Sequence, residues 1–325
     1  MTDSSQVRVA PADPTRPVVA VVGDAGLDVL ARASGPLAVG SDTRAAVRVT
    51  GGGAAANTAS WLVACGAEAL LIARVGADDA ADLVRAGLER CAVRAALTVD
   101  PVRPTCCVVV LVVADGARTM LPDRGASGAL APADIEGVDL TGVAHLHLSG
   151  YVLLDESSRA GGLAALAAAR RAGLTTSVDP QAAALLVDPS RFLADVEGVD
   201  LLLPNADELA ALAGACDVRA ARTLLDRVGA VAFTTGAGGA TWVDRSGETS
   251  VPAVDAAVVD PTGAGDAFDA GLLTAWLTGA PNEQALRAGA AAGASAVATI
   301  GGRPVGRSVL GAVQPELAVA PRTDR

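Results

Sequence analysis

A short segment near the end of the chain, Asp260-Pro-Thr-Gly-Ala-Gly-Asp266, combines two carboxylates with a glycine-rich turn. Its glycines, Gly263 and Gly265, allow a tight turn and leave the backbone amides unobstructed by side chains. If a helix begins here, those amides lie at its positive end, where they can bind an anion. Asp266 would lie beside that anion, badly placed to bind phosphate but well placed to accept a proton from an attacking hydroxyl. The alternative is a common structural one, an aspartate that caps a glycine-entered helix.

A second segment, Gly51-Gly-Gly-Ala-Ala-Ala-Asn57, could hold a small polar ligand. The glycines permit a ligand to approach the backbone closely, and the alanines keep the surface of the following helix clear. Asn57 carries both a donor and an acceptor, which suits the hydroxyls of a sugar. The same pattern also fits a glycine loop that packs against a helix and binds nothing.

Two more groups of polar residues follow apolar runs that we predict to be strands. Asp24 and Asp28 come after the run Val18–Val22, and Asn205 and Glu208 come after a later run. Open α/β sheets bind their ligands at the carboxyl ends of the strands, so both groups are candidates for a site. Asn205 can equally be the residue that caps the following helix.

The composition limits the kind of protein that these motifs serve. The 325 residues are 51% hydrophobic, and 25 basic against 36 acidic side chains give a net charge of −11. We expect no nucleic acid and no membrane as partner, because binding phosphate-rich surfaces requires clustered cations. The sequence contains no lysine. This absence excludes a Walker A loop, the strand lysine of protein kinases and Schiff-base chemistry, each of which needs an ammonium group.

Cysteine and histidine give no sign of a metal or disulfide framework. The five cysteines include no C-x-x-C pair, and their odd number suits a reducing compartment. His145 and His147 alternate on one face of a predicted strand, and without further nitrogen or sulfur ligands nearby we predict a structural role. The longest strongly apolar run, Cys106 to Ala114, is far below the roughly 20 residues of a membrane helix. We therefore expect a soluble, cytoplasmic protein.

The motifs must be positioned by an α/β fold. From about residue 140 onward, strand-like runs alternate with helical patterns, which predicts a mostly parallel sheet flanked by helices. Residues 30–50 and 103–122 interrupt this alternation, because both are β-rich and neither contains a long helix. We expect them to form one small sheet beside the main sheet. Residues 17–312 would be a single domain, with flexible tails at 1–16 and 313–325.

Taken together, these motifs resemble those of the PfkB, or ribokinase, family of carbohydrate kinases. The resemblance extends from Val18 to about Val305. Residues 52–57 are similar to the N-terminal signature of the family and residues 260–266 to its C-terminal signature. Residues 205–208 resemble its Asn-x-x-Glu motif, and residues 234–239, Thr-Thr-Gly-Ala-Gly-Gly, resemble its nucleotide loop.

The resemblance implies a ribokinase-like fold with a small β-sheet lid, and transfer of the γ-phosphoryl group of ATP to a sugar hydroxyl. Asp266 would be the general base. The amides of Gly263, Ala264 and Gly265 would form the anion hole. The resemblance further assigns Glu208 and Asn205 to Mg²⁺ through water, Thr234, Gly236 and Gly239 (with Asn205) to the nucleotide, Asp28, Gly53 and Asn57 to the acceptor, and the backbone around Asp260 to K⁺ in those members that bind it.

The acceptor itself is left open. Ribokinases carry a lysine within the N-terminal signature where this chain has Ala54, which weakens the case for free ribose. A nucleoside kinase of the pseudouridine or adenosine type would use the same scaffold. A catalytically inactive sugar-binding regulator is a third alternative. Because small sheets are marginal alone and expose their edges, the lids of two chains could meet in a homodimer.

Overall fold

A computed structural model describes residues 16–113 and 118–304 of the chain and places its strands in two sheets. In chain order the strands are β1 (Val18–Val22), β2 (Gly26–Ala33), β3 (Ala45–Gly52), β4 (Glu68–Gly76), β5 (Arg94–Asp100), β6 (Cys106–Val112), β7 (Arg118–Asp123), β8 (His145–Ser149), β9 (Thr175–Asp179), β10 (Leu201–Leu202), β11 (Ala230–Thr234), β12 (Ala240–Asp244) and β13 (Gly247–Val251). The tails predicted at 1–16 and 313–325 lie outside the described residues, apart from Arg16.

The main sheet has the order β13-β12-β11-β10-β9-β8-β1-β4-β5. All neighbouring strands from β11 to β5 pair in parallel, whereas β12 and β13 form an antiparallel extension. The prediction of a mostly parallel sheet is therefore confirmed. The sequence pattern does not predict β5 and β13, the two edge strands. Their alternating exposure, with polar residues between apolar ones, leaves no continuous apolar run to mark them.

The helices cover both faces of the main sheet. They are α1 (Ala54–Ala64), α2 (Asp79–Arg90), α3 (Pro132–Glu136), α4 (Tyr151–Leu154), α5 (Glu156–Arg171), α6 (Pro189–Asp195), α7 (Ala206–Ala213), α8 (Val218–Thr223), α9 (Ala264–Leu277) and α10 (Asn282–Val297). One apolar core lies under α1, α2, α9 and α10, and the other under α3 to α8. The five residues of β1 are all buried between these layers, as their β-branched composition predicts. Within residues 16–113 and 118–304, no helix combines the length and apolarity needed to cross a membrane.

The second sheet contains four strands in the order β3-β2-β6-β7. It brings together the two segments predicted at 30–50 and 103–122, and it extends further, from Gly26 and to Asp123. Strands β2 and β6 pair in parallel, although their paired residues Leu30 and Val110 are 80 positions apart in the chain.

 The chain therefore leaves the small sheet after β3, passes through the main sheet in β4 and β5, and returns to the small sheet in β6. Only the tertiary structure joins the two halves.

Helices α9 and α10 pack against each other through small residues. A Cβ atom added at Gly271 on α9 would lie 2.6 Å from the carbonyl oxygen of Ala288 and 2.9 Å from the Cβ of Ala292, both on α10. These distances are shorter than van der Waals contact, and the nearer atom belongs to the backbone, which cannot rotate away. The glycine is therefore required by the close approach of the two helices.

We expect Gly271→Ala to destabilise the protein by about 1–3 kcal/mol, because overpacking outweighs the better helix propensity of alanine. Thermal unfolding measured by circular dichroism would report this as a lower Tm. Gly137→Ala is the matched control, because Gly137 has φ −79° and the nearest atom to an added Cβ is 3.8 Å away. Its Tm should stay at or slightly above the wild-type value. Equal Tm values for the two variants would contradict the close helix contact.

Candidate active site

A cavity of about 200 Å³ opens where several parallel strands of the main sheet end. Strand β9 leads into Asp179, β10 leads to Asn205 and β11 ends at Thr234, and the first turn of α9 closes the cavity. Because the carboxyl ends of parallel strands share one edge of the sheet, residues far apart in sequence meet here. The cavity is lined by Asp179, Gln181, Leu203, Asn205, Glu208, Thr234, Pro261, Gly263, Ala264, Gly265, Asp266, Phe268 and Asp269.

The predicted anion-binding turn forms the start of α9. Gly263 precedes the helix with φ 76°, in the left-handed region that favours glycine, and a Cβ atom there would lie 2.6 Å from the Cα of Gly302. At Gly265 an added Cβ would meet no atom within 4 Å, because the position faces open space. Amides in the first turn of a helix have no partner within that helix. The turn can therefore receive an anion from the cavity.

Asp266 lies in this first turn and is almost completely buried, with 8% of its surface exposed. The Nδ2 of Asn57 donates a hydrogen bond of 3.0 Å to its Oδ2. Burial raises the pKa of Asp266 to about 7, against the opposing hydrogen bonds from Asn57 and Gln181 and with a smaller repulsion from Asp28. A carboxyl group with this pKa can accept and release a proton near neutral pH.

A second group of polar atoms lies on the side of Asp266 that faces the small sheet. The Asp28 carboxylate occupies the space that a Cβ atom at Gly52 would need, so glycine is required at that position. Burial raises the pKa of Asp28 to about 6, against the attraction of Arg303. The Oδ1 of Asn57 is buried without a hydrogen-bond partner among the residues that the structure describes. An unsatisfied buried acceptor suits a ligand hydroxyl.

Asn205 and Glu208 satisfy each other in a capping box at the start of α7. The backbone amide of Glu208 donates to Oδ1 of Asn205 at 3.0 Å, and the amide of Asn205 donates to Oε2 of Glu208 at 2.8 Å. Asn205 is thus a helix cap, the alternative considered from the sequence. Both residues still line the cavity. Burial raises the pKa of Glu208 to about 7, despite the hydrogen bonds from Asn205.

Of the three positions assigned to the nucleotide in addition to Asn205, Thr234 lines the cavity and two lie beyond it. Gly236 and Gly239 form the turn between β11 and β12, with φ 58° and 96°. A Cβ atom at Gly239 would clash with the carbonyl oxygen of Val251. Gly53 is likewise outside the cavity lining and begins α1 with φ 88°.

Asp260 lies at the base of the anion-binding turn rather than in the cavity lining. Its Oδ1 accepts hydrogen bonds from the backbone amide and hydroxyl of Thr262, at 3.0 and 2.7 Å. Its Oδ2 accepts one from the amide of Gly301 at 3.0 Å. Asp260 therefore ties the turn that precedes α9 to the loop that follows α10.

An ion pair fixes the end of the small sheet to the main one. Arg124, one residue after β7, donates to Asp24 at 2.7 Å and to Asp155 at 2.8 Å. Asp24 lies just after the end of β1, where the sequence analysis predicts it. Its carboxylate is engaged with Arg124.

Three polar lining residues escape the sequence analysis: Asp179, Gln181 and Asp269. The first two follow a strand in Asp179-Pro-Gln181, the placement that marks Asp28 and Asn205 as candidates, so this signal was available. Asp269 comes one helical turn after Asp266 on α9. Nothing in its local sequence distinguishes it from an ordinary helix residue.

The two histidines are fully buried and hydrogen-bonded between β8 and β9. His145 contacts Thr175 at 2.8 Å and Ser177 at 2.7 Å, and His147 contacts Ser177 at 2.9 Å. Burial lowers the pKa of His145 to about 3 and that of His147 to about 4, so both are neutral. Across residues 16–113 and 118–304, no group of three or more His, Cys, Asp or Glu residues is arranged to hold a metal ion directly.

Comparison with proteins of known sequence places this geometry in context. The chain is 34% identical over 274 residues to an ATP-dependent ribose-1-phosphate kinase from Halopiger xanaduensis, covering 82% of this chain and 87% of that protein. It also matches, at 31% identity, the bifunctional protein HldE of Rhodopseudomonas palustris, and it spans about half the length of that protein.

Solved structures share the fold. An adenosine kinase from Sinorhizobium meliloti superposes with a TM-score of 0.81 at 24% identity, covering 92% of this chain and 98% of that one. An E. coli protein described as a ribokinase II, in complex with ATP and Mg²⁺, superposes with a TM-score of 0.78 at 23% identity, covering 88% and 94%. The family model of the pfkB family carbohydrate kinases matches residues 17–305. The chain therefore belongs to the pfkB family of carbohydrate kinases.

Proposed function

We propose that this kinase transfers the γ-phosphoryl group of ATP to a hydroxyl of a sugar, with Asp266 as the general base. The observation that carries the proposal is the position of Asp266. Its buried carboxylate lies in the first turn of α9, beside amides that can receive an anion, and it accepts a hydrogen bond from Asn57. A base and an anion site are thus adjacent in one cavity.

In the proposed reaction the acceptor hydroxyl lies between Asp266 and the γ-phosphate. Its oxygen attacks phosphorus as its proton passes to the Asp266 carboxylate, and the bond from phosphorus to the bridging oxygen of ADP breaks. Charge that develops on the transferred group is stabilised by the amides of Gly263, Ala264 and Gly265. Asp28, Gly53 and Asn57 would hold the other hydroxyls of the acceptor, and Thr234, Gly236, Gly239 and Asn205 would lie along the nucleotide.

The chemistry of the cavity fits a magnesium ion. Glu208, Asp179 and Asp269 bring hard oxygen donors into one buried region, and the raised pKa of each reflects burial and, for the two aspartates, repulsion from neighbouring carboxylates. We propose that Glu208 and Asn205 hold the ion through water. When bound, it would neutralise charge on the ATP phosphates. We propose that potassium, if bound, is held by the backbone around Asp260. The side-chain oxygens of Asp260 already accept hydrogen bonds from Thr262 and Gly301.

We favour a sugar as acceptor over a nucleoside. Aromatic residues make up 2% of the chain, which supplies few rings to stack on a base. The Halopiger relative is named for action on ribose 1-phosphate, so pentoses and their 1-phosphates are the first acceptors to test. We expect the reaction to take place in the cytoplasm, where ATP is available.

The direct test is a coupled assay of ADP release over free sugars, sugar 1-phosphates and nucleosides, with Mg²⁺ and with K⁺ present or absent. We expect one class of sugar acceptor to stimulate ADP release well above the acceptor-free rate. Asp266→Asn should lower kcat by about 10²–10⁴-fold, the usual effect of losing a general base, with ATP affinity nearly unchanged. For the wild type, kcat/KM should fall as the pH drops through about 7, because protonation of Asp266 removes the base.

Retention of more than about a tenth of wild-type kcat by Asp266→Asn would remove Asp266 from this role. Turnover of nucleosides alone would favour the nucleoside kinase. Tight sugar binding without turnover would favour the inactive regulator.

We expect Glu208→Gln to lower kcat more than it weakens acceptor binding, because the charge that attracts Mg²⁺ is lost. The concentration of Mg²⁺ required for half-maximal activity should rise. Asp207→Asn is the matched control, because Asp207 is an exposed carboxylate in the same helical turn. A Glu208→Gln variant that raised only the KM of the sugar would contradict the metal assignment.

The small sheet is well placed to act as a lid, because it carries Asp28 on the face that adjoins Asp266. We propose that its other face meets the same face of a second chain. Val49, Val29, Val109 and Leu121 are cross-strand neighbours in one row across that face, and all but Val29 are exposed. An exposed apolar sheet face of this kind is typical of an interface.

Sedimentation velocity tests the homodimer. We expect the wild type to sediment as a dimer and Val109→Asp as a monomer, because a charge in the centre of the row would be buried unpaired. Val187→Asp places the same charge at an exposed loop position away from the small sheet and should leave the dimer intact. A wild-type protein that stays monomeric at micromolar concentration would exclude this interface.

A further inference from the structure

Gln181 has an unusual backbone conformation beside the proposed base. Its φ is 72°, in the left-handed region that residues with a side chain seldom adopt. Among the described residues, Ala92 is the other non-glycine with a positive φ, at 57°. Such strain persists only where surrounding contacts enforce it, and it is concentrated at functional sites.

Asp179 enforces this conformation through both of its oxygens. Oδ1 accepts a hydrogen bond of 2.9 Å from the backbone amide of Gln181, and Oδ2 accepts one of 2.7 Å from the side-chain Nε2. The Gln181 side chain also lines the cavity together with Asp266, and it lowers the pKa of that carboxyl group. A primary amide has two hydrogens, so one that donates to Asp179 leaves a second for another acceptor. Asp179 therefore holds the Gln181 amide beside Asp266.

Asp179 lies close to a second buried carboxyl group, that of Asp269. Burial raises the pKa of both groups, with added repulsion from Glu208 and Asp266 at Asp179 and from Asp179 and Asp266 at Asp269. Asp269 lies 3.9 Å from Nε2 of His147, which is neutral. Both oxygens of Asp179 accept hydrogen bonds from Gln181.

We propose that Gln181 is a positioning residue for the general base, whose amide holds the Asp266 carboxylate in the orientation that faces the acceptor hydroxyl. The left-handed backbone and the grip of Asp179 fix the amide before substrate binds. Asn57 holds the other side of Asp266, so the carboxylate is restrained from two directions. This inference rests on the proposed role of Asp266.

Loss of the amide should also change the pH dependence. A hydrogen bond donated to a carboxylate favours its charged form, so removing it raises the pKa of Asp266. The other polar groups near Asp266 keep their side chains in such a variant: Asn57 and Thr58 on α1, Asp28 on β2, Tyr151 on α4, Asp179 at the end of β9, Glu208 on α7 and Asp269 on α9 itself. A purely structural role for Gln181 would not move this pKa.

Gln181→Gly is the informative substitution, because glycine adopts the left-handed backbone without strain while removing the amide. We expect kcat to fall about 10- to 100-fold, as misplacement of a reacting group typically causes, with the KM of ATP changed less than about twofold. The fall in kcat/KM on acidification should begin at a higher pH than in the wild type. Tm should stay equal or rise. Gln181→Asn, which keeps an amide and tolerates this backbone, should retain more activity than Gln181→Gly.

Ala92→Gly is the matched control. It relieves the same kind of strain between α2 and β5, away from the cavity, so Tm should stay equal or rise while kcat and the pH profile remain those of the wild type. Wild-type kcat and pH profile in Gln181→Gly, with Asp266→Asn inactive, would overturn the positioning role alone. An active Asp266→Asn would instead overturn the proposed function, whatever Gln181 does.

Discussion

A charged carboxylate buried at the positive end of a helix is the constraint on which this site depends. In the proposed reaction, Asp266 must lie close to the anion that the start of α9 would attract, and it must be buried enough to exclude water, yet able to lose its proton. Burial alone opposes ionisation, and the pKa of about 7 reflects that cost. The hydrogen bonds from Asn57 and Gln181 work in the opposite direction. The pKa of Asp266 therefore reflects a balance between the desolvation that raises it and the hydrogen-bond donors that lower it.

That balance makes the surrounding acidic groups significant. Asp179, Glu208 and Asp269 are buried close to Asp266, in a chain without lysine. The guanidinium of Arg124 is engaged by Asp24 and Asp155. The phosphates of ATP would add further negative charge to this region. A divalent cation would resolve this conflict, which is the physical reason that we expect the proposed reaction to require Mg²⁺.

In the proposed reaction, the two sheets together would form the acceptor side of the site. Asp28 lies on β2 of the small sheet, whereas Asn57 lies on α1, which packs on the main sheet. Strand β3 runs through Gly52, where Asp28 needs the space of a side chain, and continues almost directly into α1. Movement of the small sheet would therefore move Asp28 relative to Asn57 and Asp266. Closing of a lid and assembly of the acceptor site are thus linked by the chain itself.

The sequence by itself determined the features that short-range chemistry encodes. The Gly-Ala-Gly turn predicts a helix start with a carboxylate in its first turn, and Asn205 followed by Glu208 three residues later is the pattern of a capping box. The absence of a helical period in two β-rich segments predicts the small sheet. The tertiary structure decided which residues meet. Asn57 and Asp266 are hydrogen-bonded across 209 residues, and Gln181 and Asp269 join them only because β9 ends beside the start of α9. Strand order sets those contacts, and no local pattern of residues specifies strand order.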